Sequence, residues 1–171
     1  FGEFFPVPQA VREWLRLMNL PYSDFQPGRA DPAPLRAAGE TFAPTVCYED
    51  AYGSEQLGLV RQSSLLVNVT NDAWFGDSTA PHQHLDISRM RALESGRAML
   101  RATNDGVTAL IGHDGALLGT LPQFQPGVLT GEVQPRTGLT PYVRFGNWPI
   151  LAVLWLGLAV IAVSCRRRIR R

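Results

Sequence analysis

The chain has 171 residues, 45% hydrophobic and 18% charged, which is enough apolar content for a packed domain and too much for a disordered one. The net charge of +1 hides an asymmetry: five of the sixteen basic residues are Arg166, Arg167, Arg168, Arg170 and Arg171, and the other 165 residues carry 11 basic against 15 acidic side chains. A broad nucleic-acid-binding surface is thereby excluded, because it needs clustered positive charge, and two cysteines (Cys47 and Cys165) suit neither a disulfide framework nor a zinc site.

The chain opens on Phe1-Gly2-Glu3-Phe4-Phe5-Pro6 rather than on an initiating Met, and this stretch is not expected to be a signal peptide. This reads as the interior of a domain, so a truncated or processed chain is expected, a mature N-terminus after cleavage being the alternative. Ala10 to Leu20 is a short helix candidate. Pro21 to Glu40, rich in Pro, Gly, Ala and Asp, reads as a long loop; with Tyr22 and Phe25 it suits a mobile arm over a pocket as well as a plain solvent loop. Phe42 to Val46 is a strand candidate ending at Cys47, Gly53 to Gln62 a helix, and Leu65 to Val69 a second buried strand before the turn-rich Thr70-Asn71-Asp72. His84 to Ala102 reads as a longer helix with Leu85, Ala92, Gly96 and Met99 near one face. Val107 to Ile111 and Ala116 to Thr120 flank His113-Asp114-Gly115 as a hairpin, and Val128 to Val133 reads as a further strand. This alternation of strand and helix signals predicts an α/β or layered α+β domain over residues 1–142.

A hydrophobic segment follows over residues 143–165, then a basic tail over residues 166–171. From Phe145 to Cys165 there is no charged residue, a run of 21 and long enough to cross ~30 Å of hydrocarbon as a helix. The alternative is a buried core helix, against which the terminal Arg block argues. By the positive-inside rule those arginines stay in the cytoplasm and the globular part lies on the outer side.

Thr45-Val46-Cys47-Tyr48-Glu49-Asp50 carries the strongest chemical signal. A cysteine at a strand end, before a turn, has its Cα fixed and free backbone N–H groups nearby to stabilise a thiolate or an oxyanion. Taken alone, such a cysteine is also an ordinary small core hydrophobe. Glu49 sits close enough to act on the same pocket or to serve as a helix N-terminal carboxylate, and Trp74 suits a pocket wall or core packing. Arg91 and Glu94 pair at helical spacing. His82-Gln83-His84 lacks a nearby third ligand and is read as structural, with no metal or other cofactor expected. Asn68-Val69-Thr70 has the glycosylation pattern but falls in a probable strand and is discounted.

In order along the chain, FGEFFP, CYED, NVTNDAWFG, PHQH, RMRALESGRAMLRATNDG and a single C-terminal apolar span resemble the apolipoprotein N-acyltransferase family. The resemblance covers nearly the whole chain. It implies the C-terminal half of a nitrilase-like α-β-β-α sandwich followed by one transmembrane helix. It also implies transfer of a fatty acyl chain from a phospholipid, through a thioester, to the N-terminal amine of a diacylglyceryl-cysteine lipoprotein at the bacterial inner membrane, with the catalytic domain on the periplasmic side. By that resemblance Cys47 is the nucleophile, Glu3 orients the family's lysine, Tyr48 and Glu49 flank the nucleophile, and Trp74 lies beside the pocket. The implied oxyanion donors are the lysine ammonium and the backbone N–H of Tyr48; a glutamate is the implied base.

The family's lysine lies just before the segment matching FGE and its glutamate further upstream, and this chain contains no lysine. The expectation is a chain inactive by itself within an active longer protein. Two other functions stay open at this point: a nitrilase-type amidase hydrolysing a C–N bond, and a membrane-anchored binding domain with a dead site.

Overall fold

The computed structural model describes residues 32–169, together with Pro8, Val11, Glu13, Trp14 and Leu17. Most of the predicted 10–20 helix and of the 21–40 loop, and Glu3, lie outside the described residues; Val11, Glu13, Trp14 and Leu17 are helical. One six-stranded sheet organises the rest, in the order β1 (Leu35–Ala37), β2 (Glu40–Val46), β3 (Leu65–Asn71), β4 (Met99–Asn104), β5 (Ala109–Ile111), β6 (Leu117–Thr120). The central β2, β3 and β4 run parallel, while β1, β5 and β6 join antiparallel. The helices are α1 (Leu57–Val60), α2 (Ala80–Ser95), α3 (Pro141–Phe145) and α4 (Trp148–Ile169).

Three expectations along the chain are corrected. The end of the predicted 21–40 loop is a β1–β2 hairpin, turned by Ala38 (φ 50°) and Gly39 (φ 81°). Two successive residues with positive φ match the right-handed twist of the strands. The helix predicted over 84–102 stops at Ser95: Gly96 adopts φ 65°, its N–H reaches back to Ala92 and Leu93, and the chain enters β4, paired in parallel with β3 from Leu66↔Met99 onward. Arg97 through Ala102 are good helix formers, and strand pairing overrides them. The predicted strand over 128–133 is irregular chain; Arg136 donates its N–H to Ser64 O at 3.1 Å without a ladder. The strand reading at 65–69 holds and extends to Asn71, and the His113–Gly115 turn joins β5 and β6 as predicted.

Alternate residues of the central strands face α2. Ala43, Leu66, Met99, Ala109 and Ile111 pack there with Leu85 and Ala92, and with Leu59, Val60, Val107 and Val143. The opposite face carries half-buried Phe42, Pro44, Val67 and Leu100 and exposed Val46, Val69 and Ala102. Helix on one side and an open apolar sheet on the other make one helix–sheet half of a layered α/β sandwich.

Thr140 caps α3 by accepting from Val143 N–H at 3.1 Å, and its hydroxyl donates to Glu94 O at 2.6 Å. Val143 is fully buried, and Arg61 Nε donates to its carbonyl at 2.9 Å. These bonds tie α3 to the domain; Gly146 (φ 58°) and Asn147 link it to α4, whose residues Trp148 to Arg166 are all exposed. That stretch is long and apolar enough to cross a membrane, and no part of it is a core helix of this domain.

Candidate active site

Parallel strands deliver their carboxyl ends to one edge of the sheet, the usual ligand side of open α/β sheets. Here that edge collects Cys47 after β2, Asp72 and Trp74 after β3, and Asp105 after β4. Cys47 begins a short 3-10 helix (Cys47–Ala51) and has φ 52°, a left-handed conformation costing a non-glycine residue about 1–3 kcal/mol. It is partly exposed, so the sharp turn presents a cysteine at the surface of the edge.

Three side chains brace the turn. Glu49 accepts the Val46 N–H at 2.8 Å, and Gln56 donates to the Glu49 carbonyl. Beneath, the amide of Asn68 donates to Cys47 O at 3.1 Å and to Thr45 Oγ1 at 3.0 Å. Tyr48 is half-exposed, its ring 6.0 Å from Tyr52 in a T-shaped pair and 6.0 Å from the His84 ring. Trp74 leaves the neighbouring strand on a single 3-10 turn and is 67% exposed, so it is not a core residue of this chain. Cys47, Tyr48 and Glu49 therefore share one turn, and Trp74 rises from the adjacent strand end.

Behind the turn lies a fully buried polar cluster. His84 on α2 meets Asp72 Oδ1 through Nδ1 at 2.8 Å and Asp50 Oδ1 through Nε2 at 3.1 Å. Arg101 on β4 donates to Asp72 Oδ2 at 2.9 Å, to Asn68 Oδ1 at 2.7 Å and to Ser88 Oγ at 2.7 Å. Ser88 in turn donates to Asp50, and Arg101 lies 3.6 Å from Asp50 Oδ2. With a carboxylate oxygen at each ring nitrogen, His84 satisfies both only as the imidazolium. Two carboxylates, one guanidinium and one imidazolium then sum to zero charge, the condition under which buried ions are tolerated. Burial works against the imidazolium, but the bonds to Asp50 and Asp72 outweigh it and raise His84 to about 9. Burial likewise opposes the Asp72 carboxylate, while His84 and Arg101 hold it below its ordinary range.

Sequence reading picked out the turn and missed this cluster. Four of the quoted motifs contribute to it: Asp50 from CYED, Asn68 and Asp72 from NVTNDAWFG, His84 from PHQH, Arg101 from RMRALESGRAMLRATNDG. The structural reading of His84 fits its two carboxylate partners, and Asn68 of the glycosylation-like triplet has no exposed surface. The signal that was available is the polar stripe of α2, where His84, Ser88 and Ser95 repeat at helical spacing and are all buried.

The sequence profile of the family described as carbon-nitrogen hydrolase matches residues 13–142. The chain belongs to the carbon-nitrogen hydrolase family. A crystal structure of an amidase from Nesterenkonia sp. shares the fold at a TM-score of 0.51 and 27% identity, over 63% of this chain and 43% of that one. Among curated relatives, an apolipoprotein N-acyltransferase of Azotobacter vinelandii is 50% identical over 100% of this chain and 33% of its own length. That of Pseudomonas paraeruginosa is 46% identical over 99% and 33%. The chain thus spans about a third of the length of these two curated relatives.

Proposed function

We propose that this chain is the thiol-bearing part of an apolipoprotein N-acyltransferase and that Cys47 carries the acyl group. The observation that carries the reading is the left-handed turn at Cys47, which sets a partly exposed thiol at the carboxyl edge of the parallel strands, in a domain followed by an exposed apolar helical stretch of 19 residues (Trp148–Arg166). The relatives' name supports an acyl donor and a lipoprotein acceptor.

In the first half-reaction the thiol proton passes to a carboxylate base, and sulfur attacks the ester carbonyl of a phospholipid. The C–S bond forms, the C–O bond breaks, and the proton returns to the leaving lysophospholipid oxygen. In the second, the amine of a diacylglyceryl-cysteine displaces the thiolate, forming an amide and restoring the thiol. The backbone N–H of Tyr48 and a lysine ammonium stabilise the oxyanion of each step. This chain has no lysine, so on this reading the lysine belongs to the remainder of a longer polypeptide; the family resemblance puts the carboxylate base there too, and the 171-residue chain alone is expected to be inactive. Glu3 orients that lysine, Glu49 fixes the turn, and Tyr48 and Trp74 line the approach of the lipid. Helix α4 crosses the inner membrane with its arginines inside, so the thiol faces the periplasm.

The test is incubation of the full-length protein with phospholipid alone. Release of lysophospholipid with an acyl group trapped on Cys47 is expected. Steady release of free fatty acid, or undiminished lipoprotein acylation by Cys47→Ala, overturns the reading. The fold it shares with an amidase keeps one rival in view, hydrolysis of a C–N bond, which predicts amide turnover without lipid.

A further inference from the structure

We propose that Asn68 is the positioning residue of the oxyanion site, acting by fixing the plane of the Cys47–Tyr48 peptide; the inference rests on the acyl-transfer reading of Cys47. The orientation of the Asn68 amide is dictated. Arg101 can only donate, so the oxygen 2.7 Å from its Nη1 must be the Asn68 acceptor. The amide nitrogen then faces the other way, 3.1 Å from Cys47 O and 3.0 Å from Thr45 Oγ1. The Thr45 hydroxyl completes the sequence by donating to Val67 O at 3.2 Å. Every bond in this series therefore has a fixed direction, and Arg101 is itself immobilised by Ser88 and Asp72.

A trans peptide is planar, with its C=O and N–H on opposite sides. Holding the Cys47 oxygen down onto buried Asn68 aims the Tyr48 N–H away from the sheet interior. Without that bond the peptide is free to rotate about the Cys47 Cα–C bond, next to a residue already strained at φ 52°, carrying the donor off the reacting carbonyl. Asn68 is fully buried and touches no substrate, so it acts through the main chain alone.

Two reactions of the full-length protein separate this role from general support of the fold. Formation of the acyl-thioester from phospholipid passes through an oxyanion. Alkylation of Cys47 by iodoacetamide displaces iodide at carbon and forms none. Asn68→Asp keeps the acceptor for Arg101 and removes the donor to Cys47. Its acylation rate is expected to fall at least tenfold while alkylation, compared on the high-pH plateau so that the added charge does not enter, stays within threefold. Thr45→Val removes one of the two oxygens that align the amide and is expected to lower the acylation-to-alkylation ratio by about threefold; it supplies the test if Asn68→Asp does not fold. An unchanged ratio in the variants, or a parallel loss of both reactions, overturns the proposal. Failure of the unaltered protein to form any thioester on Cys47 instead overturns the acyl-transfer reading itself.

Discussion

His84 faces a carboxylate with each ring nitrogen, and this gives the pH dependence of stability a definite sign. Its folded-state value of about 9 stands above the ordinary 6.5, so its contribution is complete below about pH 6.5 and is lost as pH rises through 9. Asp72 is held below its ordinary 3.8, so its contribution is present above that value and is lost as pH falls through the lowered one. The melting temperature is expected to be highest between about pH 4 and 6.5 and to decline toward pH 9; replacing His84 by Gln should flatten the alkaline decline. Arg101→Met leaves two buried carboxylates short of their cation and is expected to cost about 3–5 kcal/mol in denaturant unfolding. Gly106 tests the same cluster from above: a Cβ there would lie 2.3 Å from Asp72 Oδ2 and 2.8 Å from Asp72 Cβ. Gly106→Ala should therefore push Asp72 off its partners, at a cost of roughly 1–3 kcal/mol in the same measurement.

At the level of elements, β2, β3, the β5–β6 hairpin and the apolar span were legible because each has a local signal: β-branched runs, a turn tripeptide, or sheer length. The turn at Cys47 was legible for the same reason, as a strand followed by Cys47 and a polar triplet. What escaped was set by contacts distant in sequence. Strand β4 has a helical composition, and only pairing with β3 and the left-handed Gly96 make it a strand. Helix α2 buries Ser88, His84 and Ser95 where a core stripe would carry leucines, so its inward face does not announce itself. A buried Arg101 makes sense only once Asp50, Asp72 and Asn68 are known to surround it. Helix α4, by contrast, is all local signal. Leu156→Arg places a charge near its middle and is expected to weaken membrane insertion by about 2.5–3.5 kcal/mol, read as a fall in the inserted fraction in an insertion assay.

For the molecule as a whole, the sheet shows two unlike faces. One is sealed by α2, and the other leaves Val46, Val69 and Ala102 in the open. A second layer from a longer polypeptide would cover that face, placing its residues against the same edge as Cys47. The proposed orientation across the membrane has its own check. A membrane-impermeant maleimide applied to intact spheroplasts making the full-length protein should label Cys47 and spare Cys165; the opposite pattern would invert the topology.

The anchoring of α3, just ahead of the apolar helix, sets a further condition. Arg61, Thr140 and the buried Val143 hold α3 against the domain, and only Gly146 and Asn147 separate it from the apolar helix. If that helix lies in lipid as proposed, so short a link keeps the thiol within a narrow range of heights over the leaflet. On the acyl-transfer reading most of the travelling then falls to the lipids, donor and acceptor rising one after the other to meet the sulfur.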